Sequence, residues 1–87
     1  MVKSVYTPQY AVFLQQLRRV RQAQRLRQQD LAERLGRTQS AVSKVERGEQ
    51  TLNVIELIGW LHALNVDLLQ FMTELNARID TVSVLDP

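Results

Sequence analysis

Two short helices joined by a tight turn are predicted between residues 28 and 48, and this stretch constrains the fold more than any other. Leu31 and Leu35 are four residues apart, which places both on one face of a helix. Gly36 follows directly, and a glycine just past a helix favours the left-handed backbone conformation that ends it. The first of the two helices therefore ends at a defined residue, and the chain turns sharply there.

The second helix of this stretch carries the side chains that bear most directly on function. Thr38 is placed to cap its start through the side-chain hydroxyl, and Gly48 is placed to end it. Its inward face is formed by Val42 and Val45, which have the spacing of one helical face. Its outward face has no carboxylate, and its polar members can bond base edges or phosphates: Gln39, Ser40, Ser43, Lys44 and Arg47.

The spacing of these residues resembles the helix-turn-helix of the XRE family, which includes the Cro and CI repressors of lambdoid phages. The resemblance extends from about Leu14 to Phe71, and its matching positions are Gln28, Leu31, Ala32, Leu35, Gly36, Gln39, Val42, Ser43, Val45, Glu46 and Gly48. It implies an all-α, five-helix, lambda-repressor-like domain with the helix-turn-helix at helices 2 and 3. It also implies a transcriptional regulator that binds double-stranded DNA sequence-specifically.

The outward residues can be assigned to bases or phosphates by their place on the recognition helix. Such a helix enters the major groove with its N-terminal residues nearest the bases, and Gln39 can form two hydrogen bonds with adenine. The resemblance implies that Gln28 and Gln39 interact, one bracing the other against a base and a phosphate. We expect further base contacts from Ser40, Ser43 and Lys44. We expect phosphate contacts from Arg37, Thr38, Arg47 and Asn53.

Two charged residues occupy positions that helical spacing assigns to the core. Arg21 lies in line with the apolar stripe of the first helix, and Glu46 lies beside the inward face of the recognition helix. Because a lone buried charge is expensive, we infer that the two form a partly buried ion pair, which the XRE resemblance also implies. The alternative is that Arg21 extends to water and Glu46 is exposed. Other basic residues of this region, Arg18, Arg19 and Arg25, are expected to form a solvated surface.

Helix-start signals divide the chain into an arm, a domain and a tail. They are Thr7-Pro8 for the first helix, Asn53 with Glu56 for the fourth, and Asp67 with Gln70 for the fifth. Residues 1–6 are expected to be a flexible arm, and residues 7–79 form the XRE-type domain. Residues 80–87 are expected to be a tail that is either disordered or adds a strand at a dimer contact.

The start of the second helix departs from the pattern of the family. The family usually has glycine near position 25 and Ser or Thr as the cap at position 27, where this chain has Arg25 and Arg27. Asp30 in the first turn still suits the positive end of the helix dipole. The joint between the first two helices is therefore where a difference from the family is expected.

Charge is divided unevenly along the chain. Residues 1–48 contain ten Lys or Arg and three Asp or Glu, a net charge of +7, whereas residues 49–87 carry a net charge of −5. This asymmetry favours a polyanionic partner for the first half and a different contact for the second, although an unevenly charged solvated surface would have the same composition.

Catalytic and metal-binding chemistry has no basis in the sequence. The chain has no cysteine, His62 is its one histidine, and its three glycines do not form a phosphate-binding loop. We therefore expect no catalytic residues, no metal site and no cofactor. No run of about 18 apolar residues predicts a membrane span, and we expect a cytoplasmic protein of bacterial or phage origin.

A single recognition helix reads few base pairs, so we expect a homodimer that binds a palindromic operator and acts as a repressor. The apolar C-terminal region is the expected dimer contact, with Leu69, Ile79, Val82 and Leu85 as its candidates. The alternative is an antitoxin-type module that binds a toxin partner and regulates its own operon.

Overall fold

The computed structural model describes the backbone of residues 7–85, and these residues form five α-helices without a strand. The helices are α1 (Pro8–Ala23), α2 (Gln28–Leu35), α3 (Gln39–Glu46), α4 (Val54–Ala63) and α5 (Leu68–Leu85). The all-α, five-helix fold with the helix-turn-helix at α2 and α3 is therefore confirmed. The arm expected over residues 1–6 lies outside the described residues.

α5 is longer than the sequence predicted. It continues to Leu85, so residues 80–85 are helical where a disordered or strand-forming tail was expected from residue 80. A helix that is already nucleated gains one backbone hydrogen bond for each residue it adds, and this outweighs the strand preference of a short β-branched segment. The residues after Leu85 lie outside the described part of the chain.

The core is built from apolar side chains of all five helices. α1 packs against α3 and α5, and α2 packs against α3 and α4. Phe13 of α1 and Phe71 of α5 meet edge to face, with ring centroids 6.2 Å apart. The buried apolar residues are Phe13, Leu14, Leu17, Leu31, Ala32, Val42, Val45, Leu57, Trp60, Leu61, Leu64, Phe71 and Leu75. The recognition helix is thus held against the core by α1 and α2.

The first and fourth helices start with the expected hydrogen bonds, and the fifth has one of the two bonds of a capping box. The Thr7 hydroxyl accepts from the backbone N–H of Tyr10 at 3.0 Å. Asn53 Oδ1 accepts from the N–H of Glu56 at 2.8 Å, and Glu56 Oε1 accepts from the N–H of Asn53 at 2.9 Å. These are the two reciprocal bonds of a capping box. At α5, Asp67 Oδ2 accepts from the N–H of Gln70 at 2.9 Å.

The joint between α1 and α2 explains both departures from the family pattern. Arg25 has φ +60°, a left-handed conformation that glycine adopts without steric cost. Arg27 occupies the cap position, but a guanidinium has no acceptor to offer the helix. Asp30 supplies the other half of a capping box, because its Oδ2 accepts from the backbone N–H of Arg27 at 2.8 Å.

The Arg27 side chain completes this arrangement as a donor. Its Nε lies 3.0 Å from Asp30 Oδ2, and its Nη2 lies 2.8 Å from Asp30 Oδ1. The hydrogen bonds from the guanidinium, followed by the one from the backbone N–H, hold the pKa of the Asp30 carboxyl well below its usual range. α2 therefore starts without a serine or threonine cap, and the Asp30 carboxylate instead ties the cap residue Arg27 to the first turn through its backbone N–H and its guanidinium.

Among residues 7–85, no helix by itself has both the length and the apolar character needed to cross a membrane. α4 and the Leu68–Thr81 part of α5 satisfy that test of length and composition only when they are taken together, and they are bent by 115° to each other.

The left-handed backbone at Arg25 predicts that glycine stabilises the fold there. The left-handed conformation costs a residue with a Cβ atom about 1–2 kcal/mol. Glycine loses more backbone entropy on folding, so we expect Arg25→Gly to raise the free energy of unfolding by roughly 0.5–1 kcal/mol in urea denaturation. Asn65 has φ +57°, but asparagine tolerates this conformation. Asn65→Gly should therefore stabilise the protein less, and equal gains would contradict this account.

Candidate nucleic-acid interface

The turn between α2 and α3 is formed by the residues that the sequence singled out. Gly36 has φ +68°, which confirms its left-handed conformation after α2. The N–H of Arg37 then donates to the carbonyl of Ala32 at 2.9 Å, and Thr38 Oγ1 accepts from the N–H of Ala41 at 3.1 Å. These local bonds set the direction in which α3 leaves α2.

The burial of two valines determines which face of α3 is open to a partner. Val42 and Val45 are buried in the core, so the opposite side of the helix is turned outward. Ser43 on this side is half-buried. The exposed side chains are those of Gln39, Ser40, Lys44 and Arg47. The outward face expected from the sequence is therefore present, and its described side chains carry no carboxylate.

Arg21 and Glu46 are brought together behind this face. Arg21 Nε lies 2.6 Å from Glu46 Oε2, and Arg21 Nη2 lies 3.0 Å from Glu46 Oε1. Both side chains are nearly completely buried, with exposed fractions of 9% and 2%. The two parallel bonds are the bidentate geometry that makes a guanidinium–carboxylate pair strong. Arg21 Nη1 also donates to the carbonyl of Leu26 at 2.7 Å, so the same side chain fixes the joint before α2.

Arg18 also holds the recognition helix, a role that the sequence reasoning missed. Its Nη1 donates to the backbone carbonyl of Glu46 at 2.9 Å, where a solvated side chain was expected. Arg18 is three residues before Arg21, which places both on neighbouring positions of one α1 face. That spacing was the available signal. Glu46 is consequently held through its carboxylate and through its backbone.

The two glutamines expected to interact are part of a continuous hydrogen-bond chain. Gln28 Nε2 donates to Glu46 Oε1 at 2.9 Å. Gln39 Nε2 in turn donates to Gln28 Oε1 at 2.6 Å. We call the four residues Arg21, Glu46, Gln28 and Gln39 the glutamine relay. It connects a buried guanidinium on α1 to an exposed amide at the start of the recognition helix.

Of the residues expected to contact phosphates, two are paired with exposed carboxylates and two cap helices. Arg47 Nε lies 2.7 Å from Glu49 Oε2, and this arginine also donates to the Ser43 hydroxyl. Its guanidinium holds the pKa of Glu49 below the usual value. Arg37 Nη2 lies 3.9 Å from Glu56 Oε2, a looser pair at the surface. Because exposed ion pairs contribute little free energy, a phosphate can replace either carboxylate.

The expected dimer-contact residues differ in their surroundings. Leu69 is 75% exposed on α5, whereas Ile79 is half-buried and packs against the core. Ile79 also lines a groove of about 340 Å³ between the start of α1 and the later part of α5. The side chains of Val82 and Leu85 lie outside the described ones. Of the two candidates whose side chains are described, one is therefore an exposed leucine and the other lines an apolar groove.

His62 is exposed on α4, and the described residues contain no group of three or more His, Cys, Asp or Glu that could hold a metal ion.

The exposed polar helix, the tight turn before it and the basic surface around it define a helix-turn-helix DNA-binding domain. A family model described as helix-turn-helix matches residues 17–71. The solved structure of an XRE-family like protein from Pseudomonas syringae pv. tomato str. DC3000 is 37% identical to this chain. The match covers 82% of this chain and 89% of that chain, with a TM-score of 0.76. A search of curated proteins found no match.

The chain belongs to the XRE family of helix-turn-helix proteins, a family of DNA-binding transcription regulators.

The burial of the Arg21–Glu46 pair predicts a large cost when only one partner is removed. Glu46→Ala leaves a buried guanidinium without its counter-charge, and we expect the free energy of unfolding to fall by about 3–5 kcal/mol. Replacing both charges, Arg21→Met with Glu46→Leu, should cost much less because no charge is left unpaired. Urea denaturation of the variants measures both effects. Equal losses in the single and double variants would contradict the importance of the unpaired charge.

Proposed function

We propose that the protein is a transcriptional repressor that binds a palindromic operator as a homodimer. The observation that carries this proposal is the outward face of α3, where Gln39 is braced by Gln28 and no carboxylate lies among the exposed side chains. A phosphate backbone excludes surfaces that present carboxylates and favours those that present amides, hydroxyls and cations.

Base readout is assigned to the N-terminal part of α3. Gln39 presents an amide that fits the N6 and N7 positions of adenine. Ser40 and Ser43 offer hydroxyls that can donate or accept. Lys44 suits the O6 and N7 acceptors of guanine or a phosphate. These four residues lie on the side of α3 opposite its buried valines, and they would enter the major groove together.

Phosphate contacts are assigned to the residues on either side of α3. Arg37 and Thr38 precede it, Arg47 follows it, and Asn53 begins α4. In a complex, Arg37 and Arg47 exchange their surface carboxylates for phosphates. The N-terminus of α4 adds backbone N–H donors and the positive end of a helix dipole. These contacts hold the protein on DNA and carry no sequence information themselves.

Dimerisation gives the affinity that a single recognition helix lacks. Two copies on a palindrome with half-sites about one helical turn apart double the number of base contacts. The exposed Leu69 and the groove beside Ile79 support α5 as the place of contact. A dimer of this kind represses by occupying DNA that the polymerase needs, without any further surface.

The proposal is tested by selecting genomic fragments that the purified protein binds, followed by sedimentation and a reporter assay. We expect palindromic fragments, a dimer in solution, and lower expression from a promoter that contains a selected fragment. Unchanged or raised expression would exclude repression. A monomer that binds its operator only together with a second protein would favour the antitoxin alternative.

The place of Gln39 at the start of α3 predicts that its loss affects specificity. Gln39→Ala should weaken binding to a selected fragment by about 1–3 kcal/mol and relax the base preference at one position of each half-site. Titration against the selected fragment and against random-sequence DNA measures both effects. An equal loss on both DNAs would exclude base readout by Gln39.

The place of Arg47 after α3 predicts a different result. Arg47→Ala removes one phosphate contact per protomer, so binding to all sequences should weaken alike, and the salt slope should fall by about one for each protomer. Arg19→Ala is the matched control, because Arg19 is an exposed arginine on α1. An unchanged salt slope for Arg47→Ala would remove this residue from the phosphate contacts.

A further inference from the structure

The glutamine relay has a direction that follows from the chemistry of its buried end. The Glu46 carboxylate pairs with the Arg21 guanidinium and can only accept hydrogen bonds. Glu46 Oε1 lies 2.9 Å from Gln28 Nε2. If the Gln28 amide were reversed, two acceptor oxygens would face each other at that distance. Gln28 must therefore direct its NH2 group toward Glu46.

The orientation of the Gln28 amide in turn determines the orientation of the Gln39 amide at the surface. With its NH2 group at Glu46, Gln28 presents only its carbonyl oxygen to Gln39. Gln39 must therefore direct a donor toward Gln28, and its Nε2 lies 2.6 Å from Gln28 Oε1. A primary amide has two N–H donors and one carbonyl acceptor. One of the two N–H donors of Gln39 is thus used in the hydrogen bond to Gln28.

The remaining edge of the Gln39 amide has one donor and one acceptor. This pair matches adenine, which offers the N6 amino donor and the N7 acceptor in the major groove. Guanine offers two acceptors, O6 and N7, and needs two donors. An unconstrained glutamine can supply two donors, but Gln39 in the relay cannot. The acceptor oxygen of Gln39 would instead face a guanine oxygen.

We propose that Glu46 is a positioning residue that determines which edge of the Gln39 amide faces DNA, so that Gln39 selects adenine over guanine. This inference rests on the proposed function, since it requires Gln39 to contact a base. Glu46 itself is 2% exposed and does not reach the DNA. Specificity is therefore set by a residue behind the reading surface.

The test uses a variant in which the direction of the relay is no longer imposed. In Arg21→Met with Glu46→Gln, the amide at position 46 can donate as well as accept, so Gln28 can adopt either orientation. Removing Arg21 at the same time avoids a buried unpaired guanidinium. The probes are two duplexes of one selected fragment that differ at a single base pair, which is A·T in one and G·C in the other. That base pair is the one at which Gln39→Ala loses the base preference.

We expect the wild-type protein to prefer the adenine duplex over the guanine duplex by about tenfold or more. In the double variant, the ratio of the affinities for the adenine and guanine duplexes should fall below about threefold. Random-sequence DNA is titrated in parallel, because a merely structural defect would weaken all three DNAs alike and leave the ratio unchanged. A folded double variant that keeps the wild-type ratio overturns the inference.

A second variant decides the matter if the double variant does not fold. Gln28→Met leaves Arg21 and Glu46 paired but removes the acceptor that occupies the Gln39 donor. The ratio of its affinities for the adenine and guanine duplexes should fall likewise. Loss of a phosphate contact of Gln28 would lower the affinity for all DNAs alike and would not change this ratio. Gln29→Met is the matched control on α2, because Gln29 is exposed and bonds Glu33 rather than the relay. An unchanged ratio in Gln28→Met overturns the inference.

A measurement without DNA distinguishes the relay from base readout. In the free wild-type protein, the Gln39 side-chain amide protons should exchange with solvent more slowly than in Gln28→Met, as followed by NMR. Equal rates would show that the relay does not hold Gln39. If exchange is slow but Gln39→Ala abolishes no base preference, the proposed readout fails, and the selection of adenine fails with it.

Discussion

The buried pair of Arg21 and Glu46 is the interaction on which the functional surface depends. Burying two charges carries a desolvation cost, which is offset only when the geometry is good and the remaining polar atoms find partners. Here the pair is bidentate, and the carboxylate also accepts from Gln28. Arg18 holds the backbone of Glu46 in addition. The pair therefore connects α1, the start of α2 and the end of α3 at one point.

The ion pairs around α3 differ in burial and therefore in strength. The pair behind α3 is buried, and breaking one side of it is expensive. The pairs in front of it, Arg47 with Glu49 and Arg37 with Glu56, are exposed and contribute little free energy. In the proposed complex with DNA, phosphates replace these surface carboxylates at low cost. Rigidity is thus placed behind the recognition helix, and exchangeable contacts are placed at its edges.

Local hydrogen-bond chemistry made much of the fold predictable from sequence. The glycine after α2, the threonine before α3 and the Asn53–Glu56 capping box each depend on residues within a few positions of one another. The end of α5 was not predictable in this way. Its last residues have strand propensity, and only the helix already formed before them decides their conformation.

The sequence by itself determined the helix-turn-helix, its family and the outward face of α3, because periodicity and capping are local properties. It also indicated that Arg21 and Glu46 need each other, since helical spacing assigns both charges to the core. Only the tertiary structure decided that Arg18 holds the end of α3 and that Gln28 bonds Glu46. Those contacts join residues 28 and 18 positions apart in the chain, and their direction depends on how α1, α2 and α3 pack.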